Sequence, residues 1–144
     1  MMILGIDPGG TTGLAMLDVR SPREWSIETR EMPADEALDW LHWELLHSGD
    51  VDLVAIERFF ISARTARLSA QHDAIEIIGA VRMCCRATDT DMVRQSPADA
   101  KTVWPDHRLQ SAGITVRGEH ARDAARHAAL ASLRHCGIVL GCPE

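Results

Sequence analysis

Apolar and polar positions along this chain alternate between two periods. Met2 to Ile6 is an unbroken apolar run that stops at one carboxylate, Asp7. The turn Pro8-Gly9-Gly10-Thr11-Thr12-Gly13 follows, and then a second apolar run, Leu14 to Leu17. Together they read as a β-hairpin with strands at 2–7 and 13–18. Residues 25–30 (WSIETR) alternate and predict a third antiparallel strand. Pro33-Ala34-Asp35-Glu36 opens a helix, with Ala37, Leu38, Leu41, Leu45 and Leu46 at helical spacing as far as His47; Ser48-Gly49-Asp50 ends it. Val51 to Ile56 is short and rich in β-branched residues. It predicts a buried strand parallel to the first, because a helix precedes it. This strand also ends at a carboxylate, Glu57.

Beyond it the spacing predicts a long helix over 63–86 and a short strand over 91–94. Ser96-Pro97 has the form of a helix N-terminus, with Ser96 as N-cap. Breaks follow at Trp104-Pro105 and Gly113, and the last helix is predicted over 119–135. The order β-β-β-α-β-α-β-α-α describes an α/β fold. Three antiparallel strands and then two reached by parallel crossovers make a five-stranded mixed sheet flanked by helices.

Composition narrows the class. A chain of 144 residues that is 46% hydrophobic fits one domain, 1–144, with a real core. No apolar run approaches the roughly 18 residues of a membrane span, and no signal peptide is visible, so a cytoplasmic location and no membrane partner are expected. Cys84, Cys85, Cys136 and Cys142 form no CxxC pair, which predicts reduced thiols rather than a zinc site. The net charge of -6 argues against a nucleic-acid partner, but its distribution does not. Residues 1–56 hold 3 Arg against 11 acids, whereas 57–144 hold 12 Lys and Arg against 10 acids. Arg58, Arg64 and Arg67 follow Glu57 with no acid before Asp73, which allows a local basic surface.

Three carboxylates then stand out: Asp7 and Glu57 at strand ends, and Asp123 on the last helix. If the first and fourth strands are parallel neighbours, Asp7 and Glu57 project side by side from one sheet edge. Carboxylates that close repel unless a cation lies between them, and hard oxygen donors suit Mg²⁺ or Mn²⁺. His120, Asp123 and His127 share a helix face at i, i+3 and i+7, flanked by alanines small enough for a close approach to the sheet. Taken singly, each has an ordinary explanation. Asp7 suits a turn, Glu57 a solvated strand end, Asp123 an exposed helix position, and the histidines surface or core sites. Their potential convergence favours the metal site.

The segments GIDPGGTTGLA (5–15), AIERFF (55–60), QSPADAKTVW (95–104) and HARDAARHA (120–128) resemble, in order, the motifs of RuvC-type Holliday-junction resolvases of the RNase H-like (retroviral-integrase) superfamily. The resemblance implies an RNase H-like fold and a structure-specific endonuclease that cuts four-way junctions and other branched DNA. It implies two Mg²⁺ or Mn²⁺ ions, with Asp7 bridging both, Glu57 holding one, and Asp123 with His120 the other. Lys101 matches a basic position near the scissile phosphate, and Phe60 an aromatic that stacks on a base, although core packing explains Phe60 equally well. The resemblance also implies a homodimer, with the long helix at 63–86 as interface and its Arg64 and Arg67 facing DNA. The interval between Lys101 and His120 is short, leaving Arg108 as the nearest match to a second basic position. That, the missing basic tail and the acidic balance point to a compact, bacteriophage-like member.

Two other activities share parts of this pattern. A nuclease of the same superfamily acting on RNA or an RNA–DNA hybrid would carry the same carboxylates. DPGGTTG also resembles the phosphate-binding hairpin of actin-like and sugar-kinase ATPases. Those need two such domains, and this chain has room for one.

Overall fold

The computed structural model describes residues 1–60 and 70–143. Its elements are β1 (Met2–Asp7), β2 (Thr11–Ser21), β3 (Glu24–Pro33), α1 (Ala34–Trp43), β4 (Leu53–Glu57), α2 (Ala70–Thr88), β5 (Asp91–Gln95), α3 (Pro97–Val103), α4 (Asp106–Ser111) and α5 (Glu119–Cys136). They form one five-stranded sheet of order β3-β2-β1-β4-β5. The β1–β2 and β2–β3 pairs are antiparallel, and β1–β4 and β4–β5 are parallel. This is the expected mixed sheet.

The alternation of β1 sorts the two faces. Ile3 joins the core under α5 with Ala15, Leu17, Leu53 and Ala55. Leu4 and Ile6 join the opposite core with Val54, Ile56, Leu41, Ile77 and Val81, under α1 and α2. Because side chains alternate with period two, Asp7 follows Ile3 and Gly5 onto the α5 face. Glu57 follows Leu53 and Ala55 onto that face, and Gln95 follows Val93.

Helix α5 lies unusually close to the sheet because both sides have small residues. Ala121, Ala124, Ala125 and Ala128 are buried on the helix. Facing them, a Cβ on Gly5 would lie 2.9 Å from Ala128 N, and one on Gly13 2.7 Å from Ala121 N. Only hydrogen fits at those two positions.

Several boundaries differ from the pattern-based expectation. Strands β2 and β3 run further along the hairpin, paired from Thr11↔Pro33 onward, because backbone pairing continues where side-chain alternation gives no signal. Glu57 belongs to β4 and Gln95 to β5; they are register partners. The expected helix to His47 changes at Glu44–Ser48 into a single π turn, which Gly49 ends in the left-handed region at φ 71°. Ser96 is the N-cap of α3 but makes no side-chain capping bond. Gly9 and Gly10 do not have positive φ, so they are not needed to turn the hairpin through a left-handed conformation. Instead the Thr12 hydroxyl donates to Gly9 O at 2.8 Å, and Ala34 N donates to Gly10 O at 3.1 Å, which ties the start of α1 to the turn. The part of the predicted 63–86 helix before residue 70 lies outside the described residues. All four cysteines are free. Among the described residues no helix is long and apolar enough to cross a membrane.

Candidate active site

The parallel register sets Asp7 and Glu57 side by side. Gly5 pairs with Ala55 and Ile6 with Ile56, so the next residues on both strands leave the same edge. Both point toward α5, which brings His120 and Asp123 over them. Asp7 and Asp123 are buried. His120 Nδ1 is 2.8 Å from Asp7 Oδ2. His127 Nε2 is 3.1 Å from Glu57 Oε2, and its Nδ1 is 2.9 Å from Gln95 Oε1. Asp123 faces two cations. Lys101 Nζ lies 3.0 Å from its Oδ2, and Arg126 Nη1 donates to its Oδ1. Arg126 also donates to Asp106 Oδ1, and from Nε to Trp104 O at 2.9 Å. The residues of the proposed i, i+3, i+7 face therefore engage different parts of the fold: His120 meets β1, Asp123 meets α3 and its own helix, and His127 meets β4 and β5.

The electrostatics show how these groups act on one another. Burial, first, and the negative charge of Glu57, second, push the Asp7 carboxyl up to about 6; Asp123 adds to the rise, while the His120 hydrogen bond and charge oppose it. Burial pulls the His120 ring down, but its hydrogen bond to Asp7 and the charges of Asp7, Glu31 and Glu119 outweigh that and hold it above its ordinary value. Asp7, Glu57 and Asp123 are thus close enough to repel at a desolvated edge. That repulsion and the oxygen-rich donor set fit a hard divalent cation. Among the described residues no three such groups stand ready as a metal cluster. Each carboxylate is instead satisfied by an α5 base or by Lys101, so an incoming cation has to exchange with these partners.

The remaining candidates fall in two groups. Phe60 is 64% exposed and does not pack in the core; the Arg58 guanidinium lies 5.8 Å from its ring centroid. Lys101 is exposed except for its contact with Asp123. Arg108 is turned inward: Nη1 donates to Val103 O at 2.6 Å and the guanidinium lies over Trp104 at 4.3 Å. Arg64 and Arg67 lie outside the described residues.

Four residues that the sequence reading did not single out support the site. Gln95 braces His127. Arg126 holds Asp123, and Asp106 shares that guanidinium. Glu31 accepts from Ala121 N at 3.0 Å, capping the start of α5 from β3. It reaches there because Gly118, at φ 93°, has no Cβ to collide with its carboxylate. The signal for Arg126 was present as an i, i+3 ion-pair spacing from Asp123. Gln95 was one more step of the fifth strand's alternation. No local pattern links Glu31 to a helix 90 residues later.

This sheet order, with carboxylates at the ends of two adjacent parallel strands and a helix closing over them, is the RNase H-like class of α/β fold. No protein-family model matches the chain, and a search of curated proteins gives no match. Among solved structures, the chain is similar to T. thermophilus RuvC in complex with a Holliday junction substrate, with 20% identity over 94% of this chain and 96% of that one and a TM-score of 0.71. Another Thermus thermophilus RuvC structure gives 21% identity, 94% and 97% coverage, and a TM-score of 0.68. The Fowlpox virus resolvase in complex with Holliday junction DNA is similar at 9% identity, 88% and 94% coverage, and a TM-score of 0.55. These likenesses extend over nearly the whole of each chain and establish the shared fold.

Proposed function

We propose that this protein is a divalent-metal-dependent endonuclease that cuts four-way and other branched DNA as a homodimer. The observation that carries the reading is the convergence of Asp7, Glu57 and Asp123 at one desolvated edge of a fold shared with resolvases solved on Holliday junctions. Asp7, Glu57, His120 and Asp123 would hold Mg²⁺ or Mn²⁺. Two such ions, when bound, activate water and stabilise the leaving oxygen of a phosphodiester.

The chain's own residues supply the rest. His120 keeps Asp7 oriented through Nδ1 and can hold a proton there. Lys101 Nζ sets a positive charge beside Asp123, where an incoming phosphate needs it. Phe60, exposed under the Arg58 guanidinium, offers a stacking surface to an unpaired base. Arg64 and Arg67 continue the basic run along the sequence. The dimer reading draws on α2, where Ile75, Gly79 and Met83 lie four apart on one face; Ile75 is 43% exposed and Met83 67%. A two-fold pairing would give one site per strand of a symmetric junction.

The test is a labelled four-way junction incubated with the protein and Mg²⁺ or Mn²⁺, beside Asp7→Asn. Paired nicks from the native chain and none from the variant are expected. Equal cleavage by both would remove Asp7 from the reaction. A native chain inert on every branched DNA but active on an RNA–DNA hybrid would reassign the substrate.

A further inference from the structure

His127 is the deepest basic group of the site, at 1% exposure, yet none of the roles above uses it. It sits on α5 between the ends of two adjacent strands. Its Nε2 is 3.1 Å from Glu57 Oε2 on β4, and its Nδ1 is 2.9 Å from the side-chain amide of Gln95 on β5. Glu57 and Gln95 are register neighbours, so ring, carboxylate and amide form one bridge across the edge of the sheet. A carboxylate only accepts, which puts the proton of the Glu57 bond on His127 Nε2. Gln95 Nε2 is otherwise buried without a partner. With the amide turned, its nitrogen donates to His127 Nδ1 and its oxygen takes the vacated position, so the ring can accept at Nδ1 while giving Nε2–H to Glu57.

We propose that His127, braced by Gln95, is a positioning residue: it fixes the rotamer of Glu57 so that one carboxylate oxygen stays turned to the cation site. The inference rests on the metal-dependent reading above and adds to it how Glu57 is held. The same geometry predicts a specific order of effects. A ring that only filled space could be replaced by any side chain of its volume. A ring that positions Glu57 has to be replaced by a donor at the same place.

The experiment follows thermal denaturation of the DNA-free protein against Mg²⁺ and, separately, Mn²⁺, for the native chain, His127→Leu, His127→Gln and Gln95→Leu. His127→Leu keeps bulk and loses the donor; the half-saturating ion concentration is expected to rise about 10–100-fold, the usual effect of losing a partner that orients a ligand. His127→Gln, whose amide can donate where Nε2 did, is expected to restore most of that affinity. Gln95→Leu is expected to shift the midpoint in the same direction by less, and stands in for His127→Leu if that variant does not fold. Cleavage by His127→Leu should recover at high ion concentration with KM for the junction unchanged. An ion midpoint unmoved in a folded His127→Leu, or in Gln95→Leu where the former does not fold, overturns the inference and leaves the metal reading intact. A native chain that neither ion stabilises overturns both.

Discussion

Gly13 on β2 faces the carbonyl of His120 on α5 so closely that a Cβ would fall within its contact radius. The residue carrying one candidate ligand thus owes its position to the absence of a side chain on the opposite strand. Gly5 has the same relation to Ala124 and Ala128, one turn further along. Gly5→Ala and Gly13→Ala should therefore each force α5 off the sheet. Overpacking of a tight interface costs about 1–3 kcal/mol, and backbone contacts leave less room to yield than side chains. Urea denaturation of the two variants measures it. A change inside the ordinary scatter of surface substitutions, roughly 0.5 kcal/mol, would show that α5 is not held at this distance.

The Asp7 carboxyl sits at about 6 in the folded protein against an ordinary 3.8. The folded state therefore binds this proton more tightly than the unfolded chain. The resulting stability is fully present below 3.8, declines as pH rises, and is lost above about 6. His120, held above its ordinary 6.5, loses its contribution at higher pH with the same sign. Metal-free protein should consequently lose stability from Asp7 between about pH 4 and 6, and from His120 only above 6.5. Asp7→Asn removes the buried charge, and at pH 7 it should be more stable than the native chain by up to about 3 kcal/mol, a gain that vanishes near pH 4. Denaturant midpoints across that pH range, with a chelator present, check it. A variant less stable than the native chain at pH 7 would mean that the Asp7–His120 pair outweighs the cost of burial.

The fold was largely legible because period-two and helical spacing are local. The site was legible only in part. Asp7, Glu57 and Asp123 could be singled out since a carboxylate at the end of an apolar run, or amid alanines, interrupts a pattern. Arg126 and Gln95 interrupt nothing: an arginine on a helix and a polar residue after a short strand are both ordinary. Spacing allows the Arg126–Asp123 pair and the place of Gln95 on its strand, but it is burial, which packing decides, that distinguishes these two from ordinary surface residues. The hairpin glycines show the reverse case. Gly9 and Gly10 invite a turn-based explanation that positive φ does not support, while Gly5 and Gly13, less conspicuous, set the distance to α5.

Glu31 supports α5 from outside the helix. Its carboxylate accepts from Ala121 N, in the first turn, where free N–H groups and the helix dipole favour an acceptor with negative charge. Glu31→Ala should cost about 1 kcal/mol, the typical effect of losing a cap, and Glu31→Gln should cost less because its amide oxygen can still accept. The same substitutions remove one of the charges that raise the His120 ring, so its titration, followed by NMR, should move down in both variants. Equal loss of stability in both variants would assign the effect to charge and not to the cap.

The proposed reaction would give Lys101 two roles that substitution can separate. Its ammonium lies 3.0 Å from Asp123 Oδ2, on the carboxylate that would accept a cation, and it is exposed enough to meet a phosphate. In the metal-free protein it competes with a divalent ion for that oxygen. In the cleavage reaction it would offset phosphate charge. Lys101→Met should therefore tighten ion binding and slow cleavage. The Mg²⁺ midpoint for thermal stabilisation should fall, because one competitor for Asp123 is gone. The cleavage rate at saturating Mg²⁺ should fall too, by about 10²-fold if Lys101 stabilises the transition state as a charged group usually does. Tighter ion binding with an undiminished rate would confine Lys101 to holding Asp123. A weaker midpoint would mean that Lys101 orients the carboxylate for the ion and does not compete with it.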